Sequence, residues 1–518
     1  MLLHHFLEYY ARNFPDLPCV TVADQTTTYS EAEVLANKLA RGLQQLGVSK
    51  GERIAILGEN SIEHMLLFEA ASKTGAVAVS LNYRLAPAEL AFILKDSSAK
   101  VLLALDDSLS ETLDGLRPLL PPSTQLVTRE GANSMSWHEL LDGQSGDPVR
   151  ADVAPEDPVL QLYTSGTTGN PKGVVSTHAN LVMECVMNTT LTTHRVNPGM
   201  AGLLCAPMFH IGGAGSILVA IYGGSHTILH RAFDPAAVVD AIEAYPINNI
   251  FMVPAMIMAV LGLPGIEQRD FSRLQVIYYG ASPISEAVLR QAIDVFDTDF
   301  VQMYGMTETT GTVVNLSPED HRRALAGKPE LLKSCGRPSV GAEVSIRNPE
   351  GDELPAGEVG EIWVKSETNM VAYYNLPEAT AENLTGGWVH TGDAGYLDTE
   401  GYLYLKDRIK DMVVSGGENI YPVEVENAIA HHDAVADVAV IGVPDEKFGE
   451  ALLAFVVLKP GASLALDEMI GFCRDRIAGY KIPRQLEIID AMPRNPSGKL
   501  LKKELRKPYW ESSDRAIS

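Results

Sequence analysis

The chain has 518 residues, 46% of them hydrophobic, and a formal net charge of −25. That length exceeds what one growing core supports, so at least two domains are expected. The acidic balance excludes a general nucleic-acid binder, whose affinity would come from basic patches on phosphates; any anion must be held locally, by backbone dipoles and a few placed cations.

In chain order, Met1 to Tyr10 lacks a basic start and a long apolar run, and reads as a packed amphipathic helix rather than a signal peptide. No stretch reaches the roughly 18 apolar residues of a membrane span, so a soluble cytoplasmic protein is expected. A helical run from Glu31 to Leu46 precedes the short apolar strand Arg53 to Leu57, the alternation of helices packed on a largely parallel sheet. The rhythm returns at Leu203 to Ala206, Asn249 to Val253 and Gln275 to Tyr278, as if a second α/β layer repeats the first. From Gly341 to Val364, strands broken by Asn348-Pro349-Glu350-Gly351-Asp352 predict a smaller antiparallel region.

Composition changes near Asp407 to Lys410, and the tail that follows is long enough for a small domain. The expected fold is therefore α/β: an N-terminal domain, residues 1–407, of stacked mixed sheets plus a smaller β region, and an α+β C-terminal domain, residues 408–518. The cysteines Cys19, Cys185, Cys205, Cys335 and Cys473 form no Cys-x-x-Cys pair and read as reduced and mostly buried. The basic run Lys499, Lys502, Lys503, Arg506 and Lys507 reads as a solvated helix face, with a peripheral membrane contact as the other reading.

The richest segment is Tyr163-Thr164-Ser165-Gly166-Thr167-Thr168-Gly169-Asn170-Pro171-Lys172-Gly173-Val174. Glycines let consecutive N–H groups converge on an anion, the hydroxyls add rotatable donors, and Lys172 supplies a mobile charge. A phosphate cradle for ATP follows, although such a loop can also be a plain solvated turn. It is not a P-loop of the Walker type: counting from Gly166, Pro171 stands where the second glycine belongs, and Gly173 replaces the magnesium-holding hydroxyl.

Four later motifs join it: Tyr304-Gly305-Met306-Thr307-Glu308-Thr309, Trp388-Val389-His390-Thr391-Gly392-Asp393, Lys406-Asp407-Arg408-Ile409-Lys410-Asp411, and Pro493-Arg494-Asn495-Pro496-Ser497-Gly498-Lys499. In order and spacing the chain resembles the adenylate-forming superfamily of acyl-CoA synthetases, luciferases and adenylation domains. The hinge and tail stretches most resemble bacterial medium- or long-chain fatty-acyl-CoA ligases. The resemblance implies that a carboxylic acid attacks the α-phosphate of ATP, giving acyl-AMP and pyrophosphate, and that CoA then takes the acyl group and releases AMP.

Roles follow by matching motifs. Thr164, Ser165, Gly166, Thr167, Thr168, Gly169 and Lys172 would hold the β and γ phosphates. Glu308, after Thr307, would hold Mg2+, since a hard cation bridging phosphates commonly uses one carboxylate plus waters. Tyr304, followed by Gly305, would stack on adenine, with Gly280, Ala281 and Ser282 on the other side of the base; many relatives have a second glycine where Ala281 stands. Asp393 suits the ribose, because a carboxylate accepts from two neighbouring hydroxyls, and Arg408 adds donors. Lys499 would be the essential catalytic lysine, Lys410 the hinge of a mobile small domain, and Ser415, Gly416 and Gly417 the passage for the pantetheine of CoA.

The resemblance places the acyl group beneath Pro207 to Gly213, where His210 matches a position that gates the pocket in relatives, beside Ile211 and Gly212, with Val253, Tyr279 and Met306 on other walls; a lone histidine among apolar residues also reads as a hydrogen-bonded core residue. No arginine or lysine stands at these positions to pair with a second carboxylate, which favours a hydrophobic monocarboxylate. An aromatic, alicyclic or other small-acid CoA ligase, and a stand-alone adenylation enzyme loading a carrier protein, share every ATP residue named. Homodimers are common in the superfamily; the sequence carries no signature of one.

Overall fold

The computed structural model describes residues 1–510 except 132, 165–170, 191–195, 283, 409–410, 416–417, 446–447, 475 and 495–499. The chain divides into two compact units, Met1–Val344 with Val364–His390, and Ser345–Trp363 with Thr391–Ser518. The 407/408 boundary expected from composition lies inside the second unit.

In the first unit the predicted α/β alternation is present twice. One sheet has eight strands in the order Ala372–Tyr373, Lys172–Thr177, Pro158–Thr164, Val77–Leu81, Arg53–Leu57, Val101–Ala104, Gln125–Thr128, Met135–Ser136. Its middle is parallel, and strands such as Val77–Leu81 are buried along their whole length, as parallel strands covered on both faces must be. The second sheet has nine strands, in the order Arg337–Pro338, Gly311–Leu316, Asp299–Met306, Val276–Gly280, Ile247–Met252, Ala201–Leu204, His226–Leu229, Pro18–Val22, Gln25–Thr28.

Helix Tyr29–Gln45 starts at a reciprocal cap: Thr28 Oγ1 accepts from Glu31 N–H, and the Glu31 carboxylate accepts from Thr28 N–H at 2.8 Å. Helix Ile62–Thr74 starts at Ser61 and stops at Gly75, whose φ of +76° suits glycine. Ile62–Thr74 is buried almost all round, so it belongs inside the unit rather than on its surface. One hydrophobic core takes Val20, Leu204 and Leu229 from the nine-stranded sheet, Ile54, Ala78 and Val101 from the eight-stranded one, and Leu39 and Leu67 from these helices.

This core encloses ions. The Lys73 side chain is wholly buried, with Nζ 2.8 Å from Glu33 Oε1 and 3.1 Å from Glu8 Oε1. One turn earlier, burial pushes the Glu69 carboxyl up to about 8.

In the second unit the turn 348–352 closes as its residues predict. Asn348 N–H donates to Asp352 O at 3.0 Å, Asp352 N–H donates to Asn348 Oδ1 at 2.8 Å, and Gly351 takes φ +89°. A further sheet runs Glu418–Ile420, Val413–Ser415, Gly449–Leu458, Val435–Asp445, with Gln485–Ile488 parallel to Gly449–Leu458. The solvated-face reading of the basic run needs correcting. On helix Lys502–Trp510, Lys503 and Lys507 are exposed, but Lys502 is buried 2.8 Å from Glu426 Oε1 and Arg506 pairs with Asp411. Lys502 and Arg506 are one turn apart, beside buried Leu505, so they share the face that packs inward.

All five cysteines are free and buried. Among the described residues no helix is long and apolar enough to cross a membrane.

Candidate active site

Strands Pro158–Thr164 and Lys172–Thr177 pair antiparallel, with Tyr163 opposite Gly173 and Thr164 opposite Lys172. The two ends of the glycine-rich loop are thereby pinned side by side at the end of a strand pair. Ser165, Gly166, Thr167, Thr168 and Gly169 lie outside the described residues. At the loop's exit the Lys172 ammonium sits 4.9 Å from the centroid of the Tyr373 ring, a cation over an aromatic face. Tyr373 O–H donates to Glu308 Oε1 at 2.8 Å. The strand Ala372–Tyr373 pairs with Lys172–Thr177, placing Tyr373 opposite Val174. Lys172, Tyr373 and Glu308 thus form one line from the loop to the second motif. Tyr373 was not singled out in the sequence, where it is half of a Tyr-Tyr pair with no chemical partner nearby in the chain.

Glu308 is buried in the short turn Thr307–Thr309 that follows strand Asp299–Met306. The turn is tied by its own side chain: Thr309 Oγ1 accepts from Met306 N–H at 3.0 Å and donates to Gly311 O at 2.8 Å. The chain then returns as Gly311–Leu316, with Met306 opposite Gly311. Close backbone approach explains two glycines. A Cβ on Gly305 would lie 1.8 Å from Gly311 O, and one on Gly280 would lie 2.1 Å from Met303 O. Gly305→Ala is expected to destabilise the first unit by about 1–3 kcal/mol through this clash and to lower activity on every acid alike, checked by thermal unfolding and pyrophosphate release together. Ala281 takes φ +66°, the left-handed region that glycine occupies without strain. Ser282 follows it half-buried, and Tyr304 is half-buried on strand Asp299–Met306.

Beside these residues lies a cavity of about 160 Å³. Its floor is the nine-stranded sheet, contributing Thr312, Gly305, Tyr278, Phe251, Leu203 and Thr227 from six successive strands. Its roof is helix Ile211–Gly223, through Ile211, Gly212, Gly215, Ser216, Val219 and Ala220, and helix His178–Thr190, through Glu184 and Asn188. The spacing of those roof positions is that of one helix face. Of the residues expected to surround an acyl group, Ile211 and Gly212 line this cavity; His210, Val253, Tyr279 and Met306 do not.

Tyr279 is fully buried, with its hydroxyl 2.9 Å from His321 Nε2, while its neighbour Tyr278 faces the cavity. Strand parity separates them, since successive side chains point to opposite faces. Val253 is the residue preceding helix Pro254–Leu261. His210 precedes helix Ile211–Gly223, its ring 4.6 Å from that of Phe209, and burial lowers it to about 4, so the imidazole is neutral at pH 7. Glu184, Asn188 and Phe251 carried no motif and were not singled out.

In the second unit, buried Asp393 N–H donates to Thr391 Oγ1 at 3.1 Å, and Thr391 Oγ1 donates to Ile362 O at 2.7 Å. Strand register places Asp393 opposite Arg408. Ser415 pairs with Glu418; Gly416 and Gly417 lie outside the described residues, as do Lys410 and Lys499.

Residues 7–374 match the AMP-binding enzyme family and residues 424–499 its C-terminal domain, and the chain belongs to this family of AMP-forming acid–thiol ligases. It is 39% identical to a fatty acid–[acyl-carrier-protein] ligase, ScoC, of Streptomyces coeruleorubidus, over 98% of this chain and 97% of that one. It is 38% identical to a feruloyl-CoA synthase of an Amycolatopsis species, over 96% and 97%. Among solved structures, a Mycobacterium tuberculosis fatty acyl CoA synthetase superimposes with a TM-score of 0.78 at 33% identity, covering 99% of each chain. The protein is an ATP-dependent ligase that joins a carboxylic acid to the thiol of CoA or of an acyl carrier protein.

Proposed function

We propose that the acid is an aliphatic one of medium or long chain and that the acceptor is CoA. The observation that carries the reading is the shape of the cavity. It crosses the nine-stranded sheet from Gly311–Leu316 to His226–Leu229, five steps of about 4.8 Å, or about 24 Å. Its walls are mainly apolar, and among the described residues its lining contains neither lysine nor arginine. A slender chain with one carboxylate suits such a slot better than a dicarboxylate.

In this reading the loop Thr164–Lys172 takes the β and γ phosphates, Tyr304 and the Gly280–Ser282 turn take adenine, and Asp393 and Arg408 take the ribose. Lys499 offsets the charge that builds between carboxylate and α-phosphate, while Ser415, Gly416 and Gly417 admit CoA after a turn at Lys410. Glu308 would hold Mg2+, which neutralises phosphate charge when bound. The Tyr373 hydroxyl fixes the orientation of that carboxylate. Tyr373→Phe removes the hydrogen bond to the Glu308 carboxyl, worth about 1.5–3 kcal/mol; a fall of roughly 10–100-fold in kcat/KM for ATP is expected, with a raised Mg2+ requirement. Unaltered Mg2+ dependence would remove Tyr373 from the site.

The test of the whole reading is pyrophosphate release across acids from acetate to palmitate, with benzoate, cinnamate and a bulky alicyclic acid, with and without CoA. CoA-dependent turnover peaking on aliphatic chains is expected. A peak on the ring acids would make the protein an aryl or alicyclic ligase, and release that CoA fails to accelerate would make a carrier protein the acceptor, as the name of the Streptomyces coeruleorubidus relative suggests.

A further inference from the structure

We infer that Glu184 selects, among the acids this cavity can hold, those bearing a hydroxyl close to the carboxyl group. The inference rests on the cavity being the acyl site and goes beyond it in naming a substituent and the residue that recognises it. Glu184 is 5% exposed. Its Oε1 is committed, accepting from Asn188 Nδ2 at 2.6 Å and from Thr312 N–H at 2.9 Å. Its Oε2 is buried and has no hydrogen-bond partner among the described residues.

The fold makes room for this carboxyl, since a Cβ on Gly311 would lie 2.1 Å from Oε1. Tying down the Thr312 N–H needs only Oε1, which an amide would supply equally well. A second buried oxygen left without a partner costs free energy unless a ligand meets it. Burial also pushes this carboxyl up to about 8, so at neutral pH it is largely protonated. A hydroxyl, which both donates and accepts, satisfies the group in either protonation state.

Position along the cavity decides where the hydroxyl must be. Glu184 stands against Gly311, the strand partner of Met306, next to Thr307 and Glu308. The far end of the cavity is Thr227, five strands along the same floor. An acid with its carboxylate at the Thr307 end and its tail toward Thr227 brings only its first carbons past Glu184.

The test is kcat/KM by pyrophosphate release for decanoate and for α-, β- and ω-hydroxydecanoate, using the wild-type protein, Glu184→Gln and Glu184→Leu. The wild type is expected to prefer the α- or β-hydroxy acid to decanoate by roughly tenfold or more, with no such preference for the ω-hydroxy acid. Glu184→Gln, which keeps both hydrogen-bonding positions, retains that ratio, and Glu184→Leu brings it to one or below. Equal or better turnover of decanoate by the wild type overturns the inference even if the leucine variant fails to fold; so does a leucine variant that keeps the wild-type ratio. Absence of pyrophosphate release with all four acids overturns instead the aliphatic reading on which the inference rests.

Discussion

Lys499→Ala is expected to slow formation of the acyl-adenylate by about 10²–10³, the loss seen when one preplaced donor is removed from a developing negative charge. Acyl transfer to CoA from added acyl-adenylate should be far less affected. The carboxylate and the α-phosphate are both anionic, so their approach requires a cation delivered at the reacting oxygens. Once the mixed anhydride exists, thiol attack has no second anion to overcome there. Lys499 ends the run Asn495-Pro496-Ser497-Gly498 and is the cation expected to meet that charge. The two half-reactions are measured separately, pyrophosphate release for the first and acyl-CoA formation from synthetic acyl-adenylate for the second. Equal losses in both would show that the lysine supports the fold or the nucleotide generally.

Lys73→Met is expected to destabilise the first unit by about 3–5 kcal/mol, since it strands the buried Glu33 carboxyl that the ammonium now balances, while Glu8 keeps Arg150. Glu33 lies 2.8 Å away and Glu8 3.1 Å away. Burial already holds the Glu33 carboxyl above its ordinary value despite Lys73, so little compensation is left once the ammonium is gone. Glu69→Gln should do the opposite, with a dependence on pH that identifies its cause. The folded-state value of about 8 stands above the ordinary 4.5. Between those values the folded protein keeps a proton that the unfolded chain releases, so the contribution of Glu69 is fully present below about pH 4.5 and is lost as pH rises toward about 8. Glu69→Gln removes that loss. The gain over wild type should therefore be small at acid pH, grow through neutrality and level off above pH 8. Denaturant unfolding at several pH values checks both variants, and a pH-independent gain would mean that Glu69 is ionised in the folded protein.

The candidate site was legible where its expected chemistry sits in consecutive residues. The phosphate loop, the Tyr304–Glu308 motif and the Trp388–Asp393 motif are local strings, each with a stereochemical reason for its glycines, hydroxyls and carboxylates. Tyr373 was not legible, because it becomes a partner of Glu308 only when Ala372–Tyr373 pairs with Lys172–Thr177. Glu184 was not legible either; it is one acid among 66 Asp and Glu until the fold sets it against Thr312 in the cavity wall. Tyr278 and Tyr279 are indistinguishable in composition and pattern, and only strand parity sends one to the cavity and the other to His321. The basic run near the C-terminus was half legible: four charges were visible after Lys499, but not that Glu426 and Asp411 would meet two of them.

By itself the sequence determined the family, the order of the motifs, the alternation that builds two α/β sheets and the use of ATP, because each is encoded over short range by periodicity, turn residues and clustered polar groups. The tertiary structure alone decided which apolar residues line the cavity, which buried acid stands among them and which tyrosine donates to the motif carboxylate. Those outcomes depend on contacts between residues tens to hundreds of positions apart, as between Glu184 and Thr312, and such pairs acquire a distance only when the sheets assemble and water leaves the space between them.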